Sequence, residues 1–330
     1  MRNYREGEIF GTHYLDINSS VEEERRKSFY VMKFGGTSMG GAEQITSVVD
    51  IISRHFQEGK SLIVVLSAMS GVTNLLVSVS ESVQKSEKNN IDRELRAIFD
   101  KHMNVISEIR LSLFQRKTIQ EKLCDIFVKL RQDVGYGSGY KTVNAEIKDR
   151  ILSYGERMSA IILEAKCLQE GLKSVVVDAF DVITTDDNFG EARPDFVQTQ
   201  IKVIRRIMPM LKKGIIPIVT GFIGATKDGR ITTLGRGGSD YSASILGWAL
   251  QAKEVWIWTD VDGVFTCDPN KDPNAKLIDK MRFDEADAMA KNGAKVLYAK
   301  TLEPLFGTDI VLRVKNTFNP SFEGTRISDS

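Results

Sequence analysis

Phe29-Tyr30-Val31-Met32-Lys33-Phe34-Gly35-Gly36-Thr37-Ser38 is the stretch whose reading decides the fold. Its first six residues read as a strand rich in apolar and aromatic side chains. The two glycines and two hydroxyls after them read as the turn leaving that strand's carboxyl end. Beyond the turn, Ile45, Val48, Val49 and Ile52 recur at helical spacing within residues 40–55. Strand, glycine turn and helix together open an α/β unit. The pattern returns: 62–67 is a continuous apolar run of the buried-strand kind, and 174–178, 215–220 and 254–259 read as further strands. Helical patterns separate most of them. That alternation predicts an α/β fold, a three-layer αβα sandwich around a mainly parallel sheet.

A second glycine turn, Gly235-Arg236-Gly237-Gly238-Ser239-Asp240, lies some two hundred residues later and precedes a compact helical pattern. Both turns carry one basic residue and hydroxyl side chains. Glycines let backbone N–H groups approach a phosphate or carboxylate, and Lys33 or Arg236 supplies fixed positive charge. Two such turns suggest two anionic partners brought face to face, which is what a small-molecule kinase requires. No GxxxxGK[ST] loop and no protein-kinase signature is present.

Composition narrows the class further. The chain has 330 residues, 45 basic and 44 acidic, for a net charge of +1, so no nucleic-acid-binding surface is implied. No apolar run is long enough to span a membrane, and the start lacks a secretory core. Cys124, Cys167 and Cys267 are widely spaced with no CxxC pairing, which suits a reduced cytoplasmic protein without zinc. Three histidines, none beside a carboxylate cluster, argue against a triad or a metal site.

Residues 1–28 read as a polar N-terminal extension. A lobe boundary is expected near Lys212-Lys213-Gly214, giving an N-terminal lobe at 29–214 with the phosphate loop and amino-acid side, and a nucleotide-side lobe at 215–330. Past Gly71 the chain reads as helical and charged for about seventy residues, broken near 85–90. Residues 135–140 read as a helix connection, and one helix is expected from Asp149 to Cys167.

Several side chains carry competing readings. Lys33, at a strand's carboxyl end where α/β sheets collect ligands, reads as a phosphate contact rather than a surface lysine. Hydroxyls in Ser67-Ala68-Met69-Ser70-Gly71-Val72-Thr73 suit either substrate binding or capping of the next helix, with capping the stronger reading. Glu156 suits a substrate ammonium group or an ion pair with a neighbouring arginine. Asp240 suits either a helix cap or the positioning of a lysine or metal, and the acids at 259–262 either a nucleotide or a plain turn.

Taken together, these segments resemble the aspartokinases of the amino-acid-kinase superfamily. The ordered set is KFGGTS at 33–38, SxxSGVTN at 67–74, GERMS at 155–159, FGEARPD at 189–195, GFIG at 221–224, TTLGRGGSDY at 232–241, WTDVDGVFTCDP at 258–269 and GAKVLY at 293–298. The resemblance implies the amino-acid-kinase fold with two lobes, and transfer of phosphate from ATP to the side-chain carboxylate of L-aspartate with Mg²⁺. Another amino-acid carboxylate, or a catalytically weak nucleotide-binding homologue, is the alternative. It further implies Lys33 and Asp240 as catalytic residues, the acid orienting the lysine. Ser67, Thr73, Glu156, Phe189, Arg236 and Ser239 would hold the amino acid, with Glu156 on its ammonium group. Lys33, Phe34, Gly35, Gly36, Thr259, Asp260, Phe265, Asn270, Lys295 and Val296 would hold ATP, with Gly35 and Gly36 offering backbone N–H groups. No protein-bound metal is expected, and homodimerisation is left open. The chain departs from the family pattern at Phe265 for tyrosine, Asn270 for arginine and Tyr298-Ala299 for histidine-proline, and in the order of Glu191 and Arg193. Members ordinarily continue into paired ACT domains. With the sequence ending at Ser330, the expectation is a kinase without ACT-mediated feedback control.

Overall fold

The computed structural model describes residues 28–135, 143–267, 271–272, 274–291 and 298–329. The N-terminal extension up to residue 27, residues 136–140 of the expected helix connection, and the candidate ATP residues Asn270, Lys295 and Val296 lie outside them.

Eight strands form one sheet in the order β10-β12-β11-β7-β1-β2-β4-β3. Its core comprises β1 (Phe29–Phe34), β2 (Ser61–Leu66), β3 (Ser174–Val177), β4 (Ile216–Thr220), β7 (Glu254–Thr259) and β11 (Val311–Asn316). Every pairing among these six is parallel. At one edge β12 (Thr325–Ile327) runs antiparallel to β11, and β10 (Lys280–Met281) pairs parallel with β12. Two hairpins stand apart: β5 (Ile223–Ala225) with β6 (Ile231–Thr233), and β8 (Val264–Phe265) with β9 (Leu277–Ile278).

Side-chain alternation along the strands builds the layers. Tyr30, Met32 and Phe34 of β1 join Leu62, Val64, Leu66, Trp256 and Trp258 on one face. That face is covered by α1 (Ala42–Gln57), α2 (Val72–Gln84), α3 (Lys88–Glu108), α4 (Leu113–Asp133), α5 (Ala145–Leu152) and α6 (Tyr154–Gln169). Phe29, Val31, Ile63, Val65, Val255 and Ile257 point the other way. There they meet α7 (Phe196–Arg206), α8 (Met208–Lys212), α9 (Gly238–Leu250), α10 (Phe283–Lys291) and α11 (Ala299–Leu302). The three-layer sandwich expected from the alternation is the fold observed.

The expected lobe boundary at 212–214 falls between α8 and β4. Since β4 then inserts between β2 and β3, one continuous sheet runs through both halves of the chain. The single helix expected from Asp149 to Cys167 is two, α5 and α6, meeting at Ser153. The Ser153 hydroxyl donates to the Arg150 carbonyl at 2.7 Å, the back-bonding that disturbs a helix from within.

Candidate active site

From β1 the chain moves through β2 to β4 on one side of the sheet, then returns to β7 on the other side of β1. The β1/β7 junction is therefore the topological switch point, where the carboxyl ends of parallel strands open a crevice. Both glycine turns meet there.

Lys33 is the penultimate residue of β1. Odd positions of that strand face α9, and its Nζ lies 2.6 Å from Asp240 Oδ1 in the first turn of α9, both side chains about one-tenth exposed. The two charges form an ion pair at close range. The helix cap is Gly237, in a left-handed conformation at φ 71°, which settles Asp240 as the lysine's partner rather than a cap. Ser239 is buried beside it, under the end of β4: a Cβ at Gly221 would come within 2.8 Å of both the Ser239 Cβ and the Leu66 carbonyl. A helix N-terminus, whose first N–H groups lack intrahelical acceptors, thus faces the lysine.

The first glycine turn divides its donors. Gly35 N–H donates to the Trp258 carbonyl at 3.2 Å, so this group, expected to be offered to phosphate, is spent tying β1 to β7. Gly36 N–H has no partner among the described residues, and a Cβ there would lie 3.1 Å from the Ala68 carbonyl. Thr259 ends β7, next to this turn, and its hydroxyl donates to the Asp260 carboxylate at 3.2 Å. Phe265 lies on the β8–β9 hairpin, and among the described residues no hydrogen bond or ring contact joins it to the Lys33 group.

Glu156 approaches from the opposite face. It sits in the first turn of α6, 3% exposed, and its Oε1 accepts the Ala68 N–H at 3.1 Å. Its Oε2 is buried with no partner. Burial pushes the carboxyl up to about 8, against the Ala68 N–H and the Lys33 charge, which both favour ionisation. The alternative reading of Glu156 as the partner of a neighbouring arginine does not hold: the adjacent Arg157 pairs with Asp178 at 3.5 Å. Ser67 and Thr73 do not cap α2: its cap is Gly71, without a side-chain hydrogen bond, and neither hydroxyl has a partner among the described residues.

Arg236 is exposed at the tip of the second turn. Its Nε donates to the Tyr298 hydroxyl at 3.1 Å and its guanidinium stands 5.1 Å from that ring's centre. The Tyr298 ring occupies the space a Cβ at Gly237 would need. The sequence marked Tyr298 only as a departure from the family; here it holds the arginine. Phe189 lies under the Arg230 guanidinium, 5.3 Å away, in a loop that abuts Gly235. Sequence reading also passed over Asp149, treated only as the start of a helix. It is a buried carboxylate whose donors come from the Phe189 loop and β6.

The site therefore holds a paired lysine, a free backbone N–H, a helix N-terminus, an exposed arginine and a buried carboxyl oxygen without a partner among the described residues. That set accommodates two anions and one ammonium group. The amino acid kinase family model matches residues 28–316. The chain belongs to the amino acid kinase family. Among its relatives, the lysine-sensitive aspartokinase 3 of Escherichia coli is 35% identical over 297 residues, covering 90% of this chain and 63% of that protein. Aspartokinase 2 of Arabidopsis thaliana, a chloroplast protein, is 36% identical over 91% of this chain and 54% of its own length. The solved structure of E. coli aspartokinase III in complex with aspartate and ADP superposes with a TM-score of 0.83 at 34% identity, covering 91% of this chain and 64% of that one. UMP kinase of Bacillus anthracis, at 14% identity and a TM-score of 0.52, shares the fold alone. The family member described here thus spans just over half to under two-thirds of these aspartokinases. None of its described helices is long and apolar enough to cross a membrane.

Proposed function

We propose that this family member transfers the γ-phosphoryl group of ATP to the side-chain carboxylate of L-aspartate, forming 4-phospho-L-aspartate and ADP. The observation that carries the reading is the pairing of the Lys33–Asp240 ion pair with the unpartnered Glu156 Oε2, one side prepared for phosphate and the other for an ammonium group. The likeness to an aspartokinase crystallised with aspartate and ADP supports it.

The chemistry follows from charge. An aspartate carboxylate is ionised at neutral pH, so its oxygen attacks the γ-phosphorus without a general base. The bond to the β,γ-bridging oxygen breaks and ADP departs with the electron pair. Positioning and neutralisation of charge on the transferring group remain for the protein to supply. Lys33 meets that charge, held by Asp240 against drifting to the leaving group alone. Gly36 N–H and the α9 N-terminus add fixed dipoles. Glu156 Oε2 takes the α-ammonium, Arg236 the α-carboxylate, and Ser67, Thr73 and Ser239 line the same space. Thr259 and Asp260 border the nucleotide side.

Mg²⁺ bound with the nucleotide would supply further neutralisation of phosphate charge. Among the described residues no three His, Cys, Asp or Glu side chains stand close enough to cage an ion, and Asp240 is committed to Lys33. The residues fit an ion carried by the nucleotide and water rather than by the protein. Trapping the acyl phosphate with hydroxylamine tests the function: hydroxamate forms with L-aspartate, and a panel of amino acids shows that every true acceptor keeps both α-groups. No hydroxamate at millimolar L-aspartate with ATP and Mg²⁺ overturns it.

A further inference from the structure

Asp149, in α5, is 1% exposed. Its Oδ2 accepts the Gly190 N–H at 2.8 Å and the Thr233 N–H at 2.7 Å, while Oδ1 accepts the Thr233 hydroxyl at 2.8 Å. Burial pushes this carboxyl up, and these three donors pull it back. A carboxylate removed from water is costly unless its acceptor sites are filled by donors of fixed geometry, and here they are.

What matters is where the donors belong. Gly190 directly follows Phe189, and Thr233 ends β6 just before the turn bearing Arg236. Asp149 itself lies one short helix before Glu156, across the Ser153 junction. Three segments distant in sequence, each carrying a residue of the amino-acid side, therefore converge on one carboxylate. Where the two donor segments abut, a Cβ on Gly235 would come within 3.2 Å of the Gly190 carbonyl. No partner of Asp149 comes from the Lys33–Gly36 turn or from Thr259 and Asp260.

We propose that Asp149 is a positioning residue that locks the Phe189 loop and the Arg236 turn into register with Glu156, so that the acceptor's α-carboxylate and α-ammonium subsites are set by one buried carboxylate. The proposal deepens the aspartate reading and rests on it. Its consequence is asymmetric: disturbing Asp149 loosens acceptor binding and spares the nucleotide.

Asp149→Asn keeps the shape but removes the charge that draws in the two N–H groups, and its NH₂ replaces the oxygen that accepts the Thr233 hydroxyl. Its KM for L-aspartate should rise about 10- to 100-fold, with the KM for ATP within about twofold of wild type. Thr233→Val, which removes only the hydroxyl bond, should show the same split at about a few-fold and serves if the Asn variant does not fold. If both KM values move together, or neither moves, the positioning role is wrong. Amide hydrogen exchange gives a second readout that needs no substrate: Asp149→Asn should speed exchange in the Phe189 loop and in residues 233–238 together. Faster exchange in only one of these segments, or in neither, overturns the proposal. A wild-type chain that makes no aspartyl phosphate defeats the aspartate reading, and the exchange result still decides the coupling.

Discussion

Lys33 reaches Asp240 because it occupies an odd position in β1, and the odd face of that strand is the one α9 covers. A one-residue slip would turn it into the opposite core. Lys33→Ala should lower kcat by about 100- to 1,000-fold, as loss of one preorganised charge at a transferring group does. Lys33→Arg should not restore it, since a planar fork does not replace a point charge. Glu156 offers a sharper test because burial pushes its carboxyl up to about 8. Between its ordinary value of 4.5 and about 8 the folded chain holds a proton that the unfolded chain has released. Its contribution to stability therefore falls as pH rises through that window, and Glu156→Gln should flatten the pH dependence of the unfolding midpoint there. Binding an ammonium group requires the ionised carboxylate, so the KM for L-aspartate should fall as pH rises toward about 8 and then level. Steady-state kinetics across that range check this, and Glu156→Gln should raise the KM about 30- to 150-fold while removing the slope. Lys33, Asp240 and Arg236 were legible in the sequence because glycine turns announce themselves. Asp149 was not: a single acid in a helical pattern looks the same whether it faces water or two distant backbone segments.

Among the elements, the second glycine turn is the most constrained. Gly237 holds φ 71° against the Tyr298 ring, so Gly237→Ala adds both backbone strain and a clash. It should cost about 1–3 kcal/mol, seen as a lower denaturant midpoint, and it should displace Arg236 and raise the KM for L-aspartate. The five main strands up to β7 were readable from apolar runs, because strands buried on both faces need no alternation. The break between α2 and α3 was readable as an exposed interruption near 85–90. The Ser153 junction was hidden, since the apolar pattern continues through it and periodicity does not report a side-chain bond such as that from Ser153 to the Arg150 carbonyl. The strands β11 and β12 also escaped: β11 carries Arg313, Lys315 and Asn316, whose polar character masks a position beside β7 at the sheet's centre.

For the whole molecule, function follows from strand order. Placing β7 beside β1 brings two glycine turns, written two hundred residues apart, to one crevice at the carboxyl edge of the sheet. Their chemistry is legible in their residues, but only the pairing of Phe34 with Trp258 and the packing of α9 over Lys33 explain their meeting. The sheet's integrity should therefore govern both sites at once. Leu62→Ala, which removes a side chain 1% exposed at the sheet's centre, should cost about 2–5 kcal/mol in a denaturant titration and lower the affinity for ATP and acceptor alike. The proposed reaction depends above all on Lys33, held by Asp240, meeting the charge of the phosphoryl group as it passes to an aspartate carboxylate. The most direct measurement is the rate of hydroxamate formation from ATP, Mg²⁺ and L-aspartate by the wild type and by Lys33→Ala. Steady product is expected from the wild type, and a rate about 100- to 1,000-fold lower from the variant at saturating substrates. Equal rates from the two proteins, or no hydroxamate from the wild type, would contradict it.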